Sequence, residues 1–250
     1  MRESCEIIVV EIVKPWSWRQ LKRCLRKSDR QFAHPTIFQD RLNTAPSAEG
    51  RSGGTCCQST SLSSKPLDEG LVKELLVMLE AANYSACETL RDGRRVEIRA
   101  LRPEDRADLI AAVGRSSAQS LYRRFFAVKR DFAEPEIEFF LNVDFVDHVA
   151  VVAVVDESGR RVIAGGGRYI VAAPGKAEVA FAVVDQYQGQ GLGAALMHHL
   201  AAIAREAGLK ELIAEVLPDN VPMLKVFEKS GLPLSIKREA QVVHVTLRLR

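Results

Sequence analysis

The chain has 250 residues, enough for one full domain with a surplus or for two small ones. It is 47% hydrophobic and 27% charged, a globular composition, and 35 basic against 32 acidic residues leave +3, too little to imply nucleic-acid binding by itself. All five cysteines (Cys5, Cys24, Cys56, Cys57, Cys87) and both tryptophans (Trp16, Trp18) precede residue 90. An odd count without a Cys-x-x-Cys pair argues against a disulfide framework or a zinc site and for a reducing, cytoplasmic setting.

The apolar run Ile7 to Val13 holds Glu11 and is far shorter than a membrane span, and the basic residues follow it where a signal peptide would have them first. From Lys14 to Arg30 seven basic residues stand against Asp29, a segment that reads as a basic tail, with an anionic partner such as nucleic acid as the alternative. Residues 43–70 are mostly small and polar, a composition expected to stay disordered because it buries too little to offset its ordering entropy. Leu71, Leu75, Met78, Leu79 and Ala82 then recur at helical spacing. The expected organisation is therefore a disordered extension over 1–70, a short helix and linker over 71–90, and one catalytic domain over 91–250. Met78, just ahead of the globular text, suggests an alternative start of the reading frame.

From Arg91 the pattern becomes regular. Val96 to Leu101 alternates as a strand, and Pro103-Glu104-Asp105 opens a helix with a proline and two acids in its first turn. Helices are expected at Ser117 to Val128 and Pro135 to Leu141. Strands at His148 to Val155, Arg161 to Val171 and Ala177 to Asp185, joined by short turns, predict an antiparallel meander. A helix follows over Gly191 to Ala207 and stops at Gly208; then come a strand over Leu212 to Leu217, a helix over Asn220 to Ser230 and a last strand over Gln241 to Leu249.

Between the third meander strand and the long helix lies Gln188-Gly189-Gln190-Gly191-Leu192-Gly193. A glycine-rich strand-to-helix turn lets backbone N–H groups converge on an anion at the positive end of the helix dipole, which suits a pyrophosphate. The dinucleotide fingerprint needs Gly-x-Gly-x-x-Gly in a parallel sheet, and the nucleotidase loop needs Gly-Lys-Ser/Thr; neither occurs here.

Gln188-x-x-Gly191-x-Gly193 resembles the acyl-CoA signature of the GNAT superfamily of N-acetyltransferases. The element order after residue 91 and the stretch from Leu217-Pro218-Asp219-Asn220 to Gly231 are similar to that family as well. Ser120-Leu121-Tyr122-Arg123-Arg124-Phe125-Phe126 and Ala177-Glu178-Val179-Ala180-Phe181 are similar to the catalytic domain of bacterial protein lysine acetyltransferases. The resemblance implies an α+β fold, a mostly antiparallel, splayed mixed sheet flanked by helices. It implies acetyl-CoA as co-substrate, no metal, and a primary amine as acceptor, foremost a protein lysine. Backbone groups of Val183 and Val184 would hold the pantetheine arm. The turn of Gln188, Gly189, Gln190, Gly191, Leu192, Gly193 and Ala194 would wrap the pyrophosphate, and Asn220 would touch the coenzyme besides capping its helix. Alternatives are acetylation of a small amine, such as an antibiotic or a polyamine, and a non-catalytic acetyl-CoA sensor.

Glu178 shares one strand face with Ala180, Ala182 and Val184, a costly place for a carboxylate unless it is paired or put to use. Acyl transfer to an ammonium needs a base, and burial would raise a carboxylate toward the working pH. The catalytic glutamate of the likened enzymes matches Glu178. The structural alternative is an ion pair with Arg168 on the neighbouring strand. Phe227 stands where many relatives carry a tyrosine acid, which leaves Tyr187 as the nearby candidate. Gly165-Gly166-Gly167 is expected to mark a bulge or a close backbone approach forming a narrow cleft wall. His198 and His199 are expected at the surface.

Overall fold

The computed structural model describes residues 69–127 and 132–249. The basic segment 14–30, the small polar stretch up to residue 68 and four of the five cysteines lie outside those residues.

Helix α1 spans Glu69–Ala82, and Met78 lies inside it. Strands β1 (Ser85–Thr89) and β2 (Arg95–Ala100) form a hairpin closed by the turn at Asp92-Gly93, with Gly93 at φ 84°. A 3-10 turn at Pro103–Asp105 leads into α2 (Arg106–Gly114). There Asp105 takes a bidentate ion pair from Arg99 of β2 at 2.6–2.7 Å, both groups buried, which pins the turn to the sheet. Helices α3 (Ala118–Phe125) and α4 (Glu134–Leu141) follow. The predicted meander is present as β3 (His148–Glu157), β4 (Arg160–Ala173) and β5 (Lys176–Val183). After it come α5 (Leu192–Glu206), β6 (Glu211–Val216), α6 (Val221–Glu228), β7 (Leu234–Arg238) and β8 (Val243–Arg248).

The eight strands form one mixed sheet in the order β1-β2-β3-β4-β5-β6-β8-β7. Every neighbouring pair is antiparallel except β5 with β6. Strands β1 and β7 were not expected from the sequence: both are short edge strands in which no residue is buried, so alternation had little to report.

One face of the sheet packs against α5, whose Leu192, Leu196, Leu200 and Ile203 are at most 2% exposed. Close packing there explains the glycines of β4. A Cβ on Gly167 would stand 2.6 Å from the Phe181 ring and 2.8 Å from Leu200. The expected close approach is therefore present, and at Gly167 it seats Phe181 and α5; the expected bulge is present as well, where the pairing of β3 with β4 skips from Gly165 to Ile163. His199 corrects another expectation. It is 6% exposed, with Nδ1 facing the Tyr84 hydroxyl and Nε2 3.1 Å from Glu88, because the unforeseen strand β1 brings Glu88, and Tyr84 just ahead of it, over the ring. Burial holds its pKa below the usual histidine range, with Glu88 pulling the other way. His198 is exposed, as expected.

Candidate active site

The site lies where the sheet parts. Strand β5 pairs with β4 from Lys176 to Val183, but with β6 only at Lys176, Ala177 and Glu178. Beyond the pair Glu178–Ile213, the remainder of both strands runs unpaired on that edge. The Val184 N–H bonds the Ala164 carbonyl at 2.9 Å, and antiparallel alternation then directs the Val179 carbonyl and the backbone groups of Phe181 and Val183 into the gap. Val184 differs from the expectation: its carbonyl also accepts from Tyr187 N–H, so both its backbone groups are bonded inside the protein. Phe181, which sequence reasoning left out, turns its backbone groups into the gap beside those of Val183. The Val183 carbonyl already accepts from the Gln188 amide at 3.0 Å.

The glycine-rich turn begins after a 3-10 turn at Asp185–Tyr187. Gly189 and Gly191 have φ of 77° and 97°, backbone that side-chain-bearing residues rarely adopt. Consecutive N–H groups from Gly189 to Gly193 find no acceptor among the described residues. Five orphaned donors at the start of a helix suit a pyrophosphate. Gln190 faces the sheet side, its side chain bonded to Arg94 Nη2 at 2.7 Å and to the Gln186 carbonyl at 3.0 Å. Ala194 is exposed in the first turn of α5, and its N–H bonds the Gly191 carbonyl. The β1–β2 hairpin adds Arg91, whose N–H bonds the Gln190 carbonyl at 3.2 Å and whose Nε would lie 3.8 Å from a Cβ on Gly191. Arg91 was missed, although the Asp92-Gly93 hairpin signal beside it was legible.

Helix α3 is tied to this turn at its start. Asp185 accepts from the Ser117 N–H and from the Ser117 and Ser120 hydroxyls at 2.6–2.9 Å, and Gln188 donates to Ser120 at 3.1 Å. These donors hold the Asp185 carboxyl below its usual range against the upward push of burial. At its other end α3 carries Arg123, 3.4 Å from Asp219, and Arg124, whose guanidinium acts on Glu178. Asn220 follows in the same loop and caps α6, its Oδ1 accepting from Met223 N–H at 3.3 Å.

Glu178 is half-buried, at the last paired position before the gap, on the face covered by α3 and α4. The arginine suggested as its structural partner is engaged elsewhere: Arg168 Nη1 donates to the Phe140 carbonyl and to His148 Nε2. The guanidinium that acts on Glu178 is that of Arg124, which burial draws down to about 10 while Glu178 pulls it up. Phe227 is 1% exposed, its ring 6.1 Å from that of Phe181, inside the core. Tyr187 is fully buried with its hydroxyl on Glu157 and Arg94 over its ring, so it stands under the glycine-rich turn and away from Glu178. Among the described residues no cluster of His, Cys, Asp and Glu has the form of a metal site, and no helix is long and apolar enough to cross a membrane.

A splayed mixed sheet, a glycine-rich turn ahead of α5 with free N–H groups and a carboxylate at the apex form the arrangement expected of an acyl-CoA-dependent transferase. The Acetyltransferase (GNAT) family matches residues 116–232. The chain is 35% identical over 126 residues to an acetyltransferase of Pseudomonas aeruginosa, spanning 50% of this chain and 68% of that one. It belongs to the GNAT family, and it is an acetyl-CoA-dependent N-acetyltransferase. Within the family it is similar to the acetyltransferase Pat of Mycolicibacterium smegmatis, 32% identical over 144 residues, 57% of this chain and 42% of that one. The GNAT domain of S. lividans PAT is a structural neighbour with TM-score 0.60 and 34% identity, covering 66% of this chain and 97% of that chain.

Proposed function

We propose that this protein transfers the acetyl group of acetyl-CoA directly to a protein lysine, in a cytoplasmic setting, with Glu178 as general base. The observation that carries this reading is the placement of Glu178 at the apex of the gap between β5 and β6. The pyrophosphate rests on the free N–H groups of residues 189–193, with Arg91 beside it. The pantetheine arm runs along β5 as an added strand on Phe181 and Val183, and Asn220 reaches it from the opposite wall. The thioester then lies near Glu178.

Glu178 removes a proton from the acceptor ammonium, directly or through one water, because only the neutral amine is nucleophilic. The nitrogen lone pair adds to the thioester carbonyl, the C–S bond breaks, and coenzyme A leaves as the thiolate. With Phe227 in the core and Tyr187 on Glu157, the departing thiolate takes its proton from solvent. Direct transfer suits a cleft without a cysteine: Cys87, the one cysteine among the described residues, stands on edge strand β1.

Similarity to Pat supports the lysine acceptor. The test is mass spectrometry of proteins from a cell extract after incubation with enzyme and acetyl-CoA, alongside a panel of polyamines and aminoglycosides. Acetyl-lysine sites that require the enzyme are expected. Turnover of small amines alone would replace lysine by a small acceptor, and tight coenzyme A binding without turnover would indicate a sensor.

A further inference from the structure

The side of the cleft that Glu178 faces is basic. Arg168 stands directly across from Ala180 and therefore diagonal to Glu178, within reach of the same acceptor. It is 9% exposed; Nη1 donates to His148 Nε2 at 3.0 Å and to the Phe140 carbonyl at 3.3 Å, and the guanidinium lies 4.7 Å from the Phe140 ring centre. His148 is itself 7% exposed and stacked on Phe139 at 5.3 Å, and burial followed by the charge of Arg168 draws it down to about 3. It is therefore a fixed neutral acceptor that orients Arg168 without cancelling its charge. Arg124 comes down from α3 as the charged neighbour acting on Arg168.

Among the described residues no carboxylate lies within 4.0 Å of either guanidinium. A guanidinium presents five donors in a planar fork, and Arg168 has bonds at Nη1 alone among the described residues, which leaves Nε and Nη2 for a ligand. Two guanidiniums drawn out of water beside each other favour a planar anion, while the ammonium is left to Glu178.

We propose that the acceptor carries a carboxylate beside its reactive amine and that Arg168, backed by Arg124, receives it. This rests on the reading of Glu178 as the base at that apex. The carboxylate belongs to an acidic residue next to the target lysine or to a free amino acid, and the test separates the two. Peptides with one lysine flanked by Glu, Gln or Arg are compared by kcat/KM, together with Nα-acetyl-lysine as free acid and as amide.

The Glu-flanked peptide is expected to exceed the Gln-flanked one about tenfold or more, the scale of one charge-assisted hydrogen bond, with the Arg-flanked one slowest. A preference confined to the free acid over its amide assigns the carboxylate to a small amino acid. Arg168→Gln brings these ratios to within about threefold, and Arg168→Lys retains part of them. Should Arg168→Gln fail to fold, Arg124→Gln gives the same readout with a smaller loss. Equal kcat/KM for acidic and neutral acceptors overturns the proposal, as does an unchanged ratio in the Arg variants. Tight acetyl-CoA binding without acetylation of any of these amines refutes the enzymatic reading itself.

Discussion

The two faces of the central sheet carry different chemistry on the same strands. Toward α5 and α6, strands β4, β5 and β6 present Tyr169, Val179, Phe181, Leu212 and Ala214, each at most 5% exposed. Toward α3 and α4, β3, β4 and β5 present His148, Arg168, Glu178 and Ala180. Successive side chains of a strand point to opposite faces, so a shift of one residue separates scaffold from chemistry. The same strands can thus be rigid where α5 packs and polar on the opposite face. Variants on the first face should change stability and leave the chemistry, and variants on the second should do the reverse.

The sharpest break of that contrast is Glu178→Gln. It is expected to lower kcat by roughly 10²–10⁴-fold, the contribution of a positioned proton acceptor. Acetyl-CoA affinity measured by calorimetry should stay within about twofold, and the melting temperature should move by only a degree or two. Loss of folding on this substitution would place Glu178 with the scaffold.

Gly191→Val probes the junction between the two regions. At φ 97° a β-branched residue is strained by about 1–3 kcal/mol, so the dissociation constant of acetyl-CoA should rise about 5- to 150-fold. Unchanged affinity would show that the turn does not seat the pyrophosphate.

Leu200→Ala tests the scaffold face. Leu200 is fully buried under the sheet, and truncation should cost about 2–5 kcal/mol in urea unfolding while kcat per folded molecule is kept. A fall in kcat with little loss of stability would contradict the division of faces.

One effect crosses the division, because His148 is buried on the polar face, and it concerns pH. His148 is kept neutral in the folded protein, its pKa drawn down to about 3 by burial and then by Arg168. The unfolded chain takes up this proton near pH 6.5, so the stabilisation is present above that value and is lost as pH falls from about 6.5 toward about 3, at up to about 1.4 kcal/mol per pH unit. Burial lowers His199 as well, and it acts in the same direction. His148→Gln keeps an acceptor for Arg168 without the titration, and should reduce the slope of unfolding free energy between pH 6.5 and 4.5. An unchanged slope would mean that His148 is not neutral and buried as described.

Much of this architecture is legible in the residues. The meander, the long helix and its glycine-rich entry follow from alternation, helical spacing and turn chemistry, and Glu178 stands out as an acid on an otherwise apolar strand. What escapes depends on contacts between elements. The hairpin strand β1 is short and polar on one face, so it is overlooked, and with it the burial of His199 and the arrival of Arg91 at the turn. That Arg168 neighbours Glu178 is legible from the hairpin, but the addition of His148 follows from the register of β3 on β4, which no local pattern specifies. The exclusion of Val184 from the gap likewise depends on which residues of β5 bond β4.

The most direct test of the central claim is kcat/KM for the amine acceptor as a function of pH, in the wild type and in Glu178→Gln. If Glu178 is the base, the wild type shows a limb that falls toward acid pH, and the variant loses that limb together with most of its rate. A variant that keeps the wild-type rate and the same limb would contradict the assignment and require another proton acceptor at the apex.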